Sequence, residues 1–162
     1  DADGYFHTGD AGYIKDGELF MKERIKDLFK TSNGKYIAPQ MVESMLLVDK
    51  YVDQVAVVAD ERKFVSALLV PDFRLLEEFA REQGIDFADH EELCAHPRVN
   101  AMMMERIETL QQSLAHYEKV KRITLLPEPF SMERGELTNT LKVKRPVIYQ
   151  NYKAQIDKMY EE

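Results

Sequence analysis

Two apolar runs rich in β-branched residues, Gln54-Val55-Ala56-Val57-Val58 and Phe64-Val65-Ser66-Ala67-Leu68-Leu69-Val70, flank the polar turn Asp60-Glu61-Arg62-Lys63. Their residue types favour extended backbone, and apolar character without alternation marks strands covered on both faces. The flanking sequence supplies helices to cover them. Pro39 opens one, with Met41, Val42, Met45 and Leu46 at helical spacing. Asp72 is the N-cap of a second, which carries Leu76, Phe79 and Ala80 and is closed by Gly84. A longer helix follows Pro97, with Val99, Met103, Ile107, Leu110, Leu114 and Tyr117 on one face at steps of three and four. Ile123-Thr124-Leu125-Leu126 reads as a third strand, stopped by Pro127 and Pro129. A last helix after Pro146 bears Ile148, Tyr152, Ile156 and Met159.

Ahead of this sheet stand two hairpin signals. Lys15-Asp16-Gly17-Glu18 separates Tyr13 and Ile14 from Leu19, Phe20 and Met21, and Asn33-Gly34 separates Leu28–Ser32 from Lys35–Ala38. Hairpins, a short sheet and helices packed on it define an α+β class. At 162 residues the chain is long enough for one domain with a real core, and 44% hydrophobic with 31% charged residues is a soluble globular composition. A net charge of −7 argues against a dedicated nucleic-acid binder, which would carry a basic stripe. The single cysteine, Cys94, makes no internal disulfide and fits a reducing compartment. No apolar run approaches the roughly 20 residues of a membrane span, and no charged start followed by an apolar stretch suggests a secretory leader. Asp1-Ala2-Asp3-Gly4 leads straight into aromatic sequence, so the expectation is a piece of a longer protein.

Few residue groups suggest chemistry. His90, Cys94 and His96 lie close together, with His90 and Cys94 on one helix face, but a fourth ligand is missing and no metal site is assigned. Met102, Met103 and Met104 sit at core spacing in the helix after Pro97. Neither GxxxxGK[ST] nor GxGxxG occurs. His7 and His116 have no nucleophile arranged beside them. Against the acidic background one basic cluster, Lys142-Val143-Lys144-Arg145, follows the turn-like Gly135-Glu136-Leu137-Thr138-Asn139-Thr140. A lysine on a loop suits the stabilisation of phosphate charge, being a compact charge on a flexible stem.

Three segments in order carry a resemblance. Tyr5-Phe6-His7-Thr8-Gly9-Asp10 resembles a W/Y-x-x-T-G-D segment, and Glu23-Arg24-Ile25-Lys26-Asp27-Leu28-Phe29-Lys30 with Gly34 and Pro39 resembles x-R-x-K-D-x-I-K…G…P. Gly135–Arg145 resembles a terminal lysine motif. Together, over almost the whole chain, they resemble the carboxy-terminal part of AMP-forming acyl-adenylate enzymes, in the form found in long-chain fatty acid–CoA ligases. Thr140-Leu141-Lys142 lacks the Gly that many of those enzymes carry before the lysine, and Lys144 stands close enough to compete with Lys142 for its role.

The resemblance implies a small mobile carboxy-terminal lid over residues 26–162, preceded by residues 1–25 as the tail of a large amino-terminal domain absent from this chain. It implies two steps: fatty acid and ATP give acyl-AMP and pyrophosphate, and CoA then displaces AMP. In those steps Asp10 and Arg24 would contact the nucleotide, Lys26 would be the hinge, and Lys142 would approach the α-phosphate. Lys30 would serve the second step, and Gly34 would line the CoA channel. ATP, AMP and CoA enter as substrates, and Mg2+ accompanies ATP without being bound by these residues. The same likeness implies no complete active site in this chain, because the phosphate loop and acyl pocket of such enzymes lie elsewhere. The expected setting is the cytoplasm, with peripheral membrane attachment left open. Two other readings stand beside this one: a different acyl- or aryl-adenylating enzyme, and a free-standing interaction module with the lid fold.

Overall fold

Asp16 and Gly17, both at positive φ (53° and 84°), make the two-residue turn joining β1 (Asp10–Lys15) to β2 (Glu18–Arg24) as an antiparallel hairpin. Positive φ at both central residues matches the twist of the strands it connects. The computed structural model describes Gly4 and residues 6–161, with the backbone alone for 22 and 23. Asp1, Ala2 and Asp3, and Tyr5 of the first resemblance segment, lie outside the described residues. Tyr13 and Phe20 stack across the hairpin at 5.2 Å, while Ile14 and Leu19 stay 75% and 66% exposed.

A single 3-10 turn, Ile25–Asp27, leads into a second hairpin of two-residue strands, β3 (Phe29–Lys30) and β4 (Tyr36–Ile37). The Asn33-Gly34 signal is met here by a longer loop than a two-residue turn. Only Gly34 has positive φ (75°), the Thr31 N–H donates to Lys35 O at 2.9 Å, and the Gly34 N–H donates to Thr31 O at 2.8 Å.

Pro39 opens α1 (Pro39–Leu46) as expected, and β5 (Val52–Val58) and β6 (Val65–Pro71) follow as an antiparallel pair. Next come α2 (Phe73–Glu82), capped by the Asp72 carboxylate on Leu75 N, then α3 (His90–Ala95) and α4 (Pro97–Leu110). The chain returns as β7 (Val120–Leu125), parallel to β6, and ends in α5 (Arg145–Asn151) and α6 (Lys153–Lys158). The three-stranded sheet has the order β5-β6-β7.

Alternate residues of the sheet enter two separate cores, as the period of two along a strand requires. Val55, Val57, Ala67 and Leu69 pack with Val42, Leu46, Leu76, Val99, Met103 and Ile107 from α1, α2 and α4. Ala56, Val58, Leu68 and Val70 pack on the other face with Ile148, Ile156 and Met159. Every residue of β6 is buried, which accounts for its unbroken apolar run. Among the described residues no helix is long and apolar enough to cross a membrane.

Two expectations are corrected. The helix after Pro97 stops at Leu110, and Leu114 and Tyr117 lie in turns beyond it. The cause is Gln111, whose buried amide turns toward β7: Oε1 accepts from Val120 N at 2.7 Å and Nε2 donates to Val120 O at 3.0 Å. Its side chain thus does for this end of an edge strand what a neighbouring backbone would do. The final helix is two, broken at Tyr152 (φ −108°, ψ 24°), whose ring meets Phe130 edge-on at 5.8 Å. Gln111→Ala is expected to lower stability by about 2 kcal/mol by unpairing the Val120 amide and carbonyl. The check is a lower urea midpoint at unchanged slope.

Candidate functional site

Asp10 opens β1 beside a turn that fixes its backbone. Its N–H donates to Thr8 Oγ1 at 3.2 Å, and Gly9 O accepts from Ile25 N at 2.8 Å. The hairpin register sets Asp10 opposite Arg24, with Arg24 Nε 3.8 Å from Asp10 Oδ1 and both side chains reaching solvent. Such an exposed pair adds little to stability. It presents an acceptor and a guanidinium side by side.

Lys26 lies in the 3-10 turn, between Arg24 (φ −69°, ψ 137°) and Leu28 (φ −69°, ψ 136°), both extended. This three-residue turn links the first hairpin to β3. Lys30 is exposed on β3 with its Nζ 5.9 Å from the centre of the Tyr36 ring. The hairpin bearing Lys30 and Gly34 is bound to the β5–β6 turn by four hydrogen bonds. Lys30 N donates to Asp60 Oδ1 (3.0 Å), Glu61 N to Lys30 O (2.9 Å), Ser32 N to Arg62 O (3.0 Å) and Asn33 Nδ2 to Lys63 O (3.2 Å). Gly34 occupies the left-handed region that closes this loop, where a side chain would strain the backbone.

Lys142 sits apart from these, at the end of a small loop closed by a bridge between Leu137 and Val143. Thr138 organises the loop: its N–H donates to Lys142 O at 2.8 Å, and its Oγ1 accepts from Lys142 N at 3.0 Å. Leu141 takes φ +60° with its side chain 66% exposed. This is the position at which many of the resembled enzymes carry Gly, so the loop keeps a glycine-type backbone without a glycine, at a cost of about 1–2 kcal/mol. The Lys142 and Lys144 side chains are both exposed, and Lys144 N donates to Glu136 O at 2.7 Å.

Glu136 belongs to the turn-like segment ahead of Lys142, yet it is fully buried. Its carboxylate accepts from Ser131 N (2.9 Å), Arg134 Nε (3.1 Å) and Asn151 Nδ2 (3.1 Å). Burial alone would raise its pKa, but Arg134 and the two other donors outweigh that and hold the carboxyl below the ordinary range. Arg145, noted only as a member of the basic cluster, is likewise drawn inward, with Nη2 2.6 Å from Glu43 Oε2. Glu136 is satisfied by two nearby donors, Ser131 N and Arg134 Nε, together with Asn151 of α5, whereas Arg145 meets Glu43 of α1, 102 residues away.

The structure thus brings Asp10 to Arg24 and Lys30 to Gly34, sets Lys26 between those pairs, and carries Lys142 on a separate loop. A groove of about 830 Å³ between α4, β7 and α6 has none of these six among its lining residues.

His90, Cys94 and His96 have structural partners instead of a common ligand position. His90 stacks on Phe73 at 3.8 Å and meets Glu77 at 2.9 Å. His96 accepts from Arg98 N at the start of α4. Cys94 is packed in the core, where burial pushes its thiol up to about 12. Among the described residues no group of three or more His, Cys, Asp or Glu could hold a metal ion.

Residues 26–162 match a family model described as the AMP-binding enzyme C-terminal domain. The chain is 36% identical to the peroxisomal long chain acyl-CoA synthetase 6 of Arabidopsis thaliana, over 100% of its own length and 24% of that protein's. It is 38% identical to long-chain-fatty-acid–CoA ligase 1 of Homo sapiens, over 99% of its own length and 23% of that protein's. It therefore spans about a quarter of the length of these relatives. Among solved structures, the adenylation domain of a carboxylate reductase from Mycobacterium chelonae superposes with a TM-score of 0.77 at 22% identity, covering 100% of this chain and 24% of that one. The likeness to that structure is one of fold.

Proposed function

Because the chain belongs to the AMP-binding enzyme C-terminal domain family, we propose that it is the carboxy-terminal lid of an ATP-dependent long-chain fatty acid–CoA ligase. The observation that carries this reading is identity of 36% and 38% to long-chain acyl-CoA ligases from a plant and a human, over 100% and 99% of this chain. Residues 1–25 then form the tail of a large amino-terminal domain. Ile14 and Leu19, exposed here, find their cover against it.

In this reading the whole enzyme works in two steps. A fatty-acid carboxylate oxygen attacks the α-phosphorus of ATP and pyrophosphate leaves. The CoA thiol then attacks the acyl carbon of the mixed anhydride, and AMP leaves with the carboxylate-derived oxygen. Lys142 serves the first step, its ammonium offsetting negative charge that gathers on the α-phosphate and on the attacking carboxylate. Asp10 accepts from the ribose hydroxyls, and Arg24 adds positive charge at the same nucleotide. Rotation about the turn at Lys26 withdraws Lys142 and brings the Lys30–Gly34 hairpin to the site for the second step, as lid domains do when two reactions share one centre. Mg2+ enters with ATP and is held outside this chain.

The test is a panel of acids of differing length and an aryl acid given to the full-length protein, read by ATP–pyrophosphate exchange and by thioester formation. Long-chain acids are expected to turn over fastest. Preference for the aryl acid would move the protein to another adenylating branch, and no exchange with any acid would leave an interaction module. Asp10→Ala in the same protein is expected to raise the KM for ATP through loss of charge-assisted hydrogen bonds of roughly 1.5–3 kcal/mol. Initial-rate kinetics at saturating fatty acid check this, and an unchanged KM would remove the ribose role.

A further inference from the structure

One ion pair ties together parts of the chain that bear the two sets of proposed working residues. Glu43 lies on α1, with one carboxylate oxygen 2.6 Å from Arg145 Nη2 and the other accepting from Val57 N on β5 at 3.0 Å. Arg145 is the third residue after Lys142 and the first of α5. Its guanidinium carbon lies 5.6 Å from the centre of the Phe29 ring, and Phe29 precedes Lys30 on β3. Tyr149 closes the group, its hydroxyl donating to Val57 O at 2.6 Å and its ring 6.3 Å from Phe29.

This arrangement is poorly suited to stabilisation alone. The two side chains are 18% and 11% exposed, and Arg145 Nε is buried with no hydrogen-bond partner among the described residues. A buried pair that leaves a donor unpaired gains less than apolar packing of the same volume would. What it does supply is direction, because it pins the chain at the point where the Lys142 loop ends and α5 begins. At its neck the loop is closed by the Leu137–Val143 bridge, and Leu137 and Val143 pack on the second core. Glu136 accepts from Asn151 Nδ2 at 3.1 Å, but beyond the neck Arg145 is the next side chain that ties the chain to α1. The Lys30–Gly34 hairpin, in contrast, has four bonds to the β5–β6 turn, none of them made by Arg145.

We propose that Arg145, held by Glu43, is a positioning residue for Lys142, setting where its ammonium is delivered in the adenylation step. The proposal rests on the reading of this chain as a ligase lid. Displacement of a reacting group by about 1 Å costs on the order of 10²-fold in rate, so the effect falls on adenylation and spares the thioester step.

The experiment uses the full-length protein and measures two single-turnover rates, acyl-AMP formation and thioester formation from supplied acyl-AMP, with a melting curve on each variant. Arg145→Met is expected to slow the first by about 10–100-fold and leave the second unchanged. In a Lys142→Ala background it should add no further slowing, since there is no ammonium left to misplace. Glu43→Gln should act in the same direction more weakly, and it decides the matter if Arg145→Met does not fold. Arg106→Met is the control for lost stability. It breaks another ion pair with a buried carboxylate, Arg106 Nε of α4 on both oxygens of Asp49 at 3.0 and 2.8 Å. It should lower the melting temperature without favouring either step. Equal slowing of both steps by the Arg145 and Glu43 variants, or slowing that adds fully to that of Lys142→Ala, overturns the proposal. If Lys142→Ala leaves adenylation intact while Lys144→Ala slows it, the assignment to Lys142 fails and the positioning role with it; if both variants leave it intact, the lid reading itself fails.

Discussion

Lys142→Ala in the full-length protein is expected to slow acyl-adenylate formation by about 10²–10³, or roughly 3–4 kcal/mol of transition-state stabilisation, while thioester formation from supplied acyl-AMP proceeds nearly as before. The loop explains why the effect should be confined to chemistry. Lys142 is anchored through its backbone, with its N–H on Thr138 Oγ1 and its carbonyl accepting from Thr138 N. Alanine keeps both bonds, and the side chain it removes is exposed. Melting temperature should therefore not move. Lys144→Ala is the natural comparison, because Lys144 is also exposed and lies two residues away. A larger loss of adenylation from Lys144→Ala would assign the role to that lysine. Equal loss in both steps from Lys142→Ala would point to general damage to the lid.

Glu136→Ala is expected to destabilise the domain by about 3 kcal/mol, the lower end of the range for removing one partner of a buried pair. The lower end applies because Arg134 keeps access to solvent, its side chain being 38% exposed. The change would also strand Ser131 N and Asn151 Nδ2, and would leave a void beneath the chain that carries Lys142. Chemical unfolding of wild type and variant measures the difference.

The same carboxylate gives a pH signature. Its folded pKa lies below the ordinary 4.5, so the stability it contributes is present above 4.5 and is lost as pH falls through the lowered value. The gap in unfolding free energy between wild type and Glu136→Gln should hold from neutrality down to about pH 5 and close below that. A gap that widened in acid would show that Glu136 is held protonated.

The elements were legible in the sequence wherever the deciding physics acts over a few residues. Pro39 and Asp72 start their helices by local backbone and side-chain bonding, and Asp16-Gly17 turns the first hairpin through φ angles set at those two positions. The unbroken apolar run of β6 announced a strand with both faces covered, because burying one face alone would have left alternate positions polar. Asp10, Arg24, Lys26, Lys30, Gly34 and Lys142 were singled out only by the family resemblance that three short motifs carry, and neither spacing nor composition would have chosen them.

Long-range pairing decided the rest. The period of the helix after Pro97 continues through Leu114 and Tyr117, but Gln111 gains more by satisfying Val120, nine residues on, than the helix gains by another turn. Glu136 is charged and sits among turn residues, so composition places it in water. Arg134, two residues before it, and Asn151, fifteen residues after it on α5, make its burial tolerable, and only the second comes from another element. Arg145 and Glu43 are 102 residues apart, and each alone is an ordinary surface charge. Only the tertiary fold, which brings α1 and α5 to Val57 of β5, puts the two charges in contact. There burial outweighs the pull of Arg145 and holds the Glu43 carboxyl above its ordinary range.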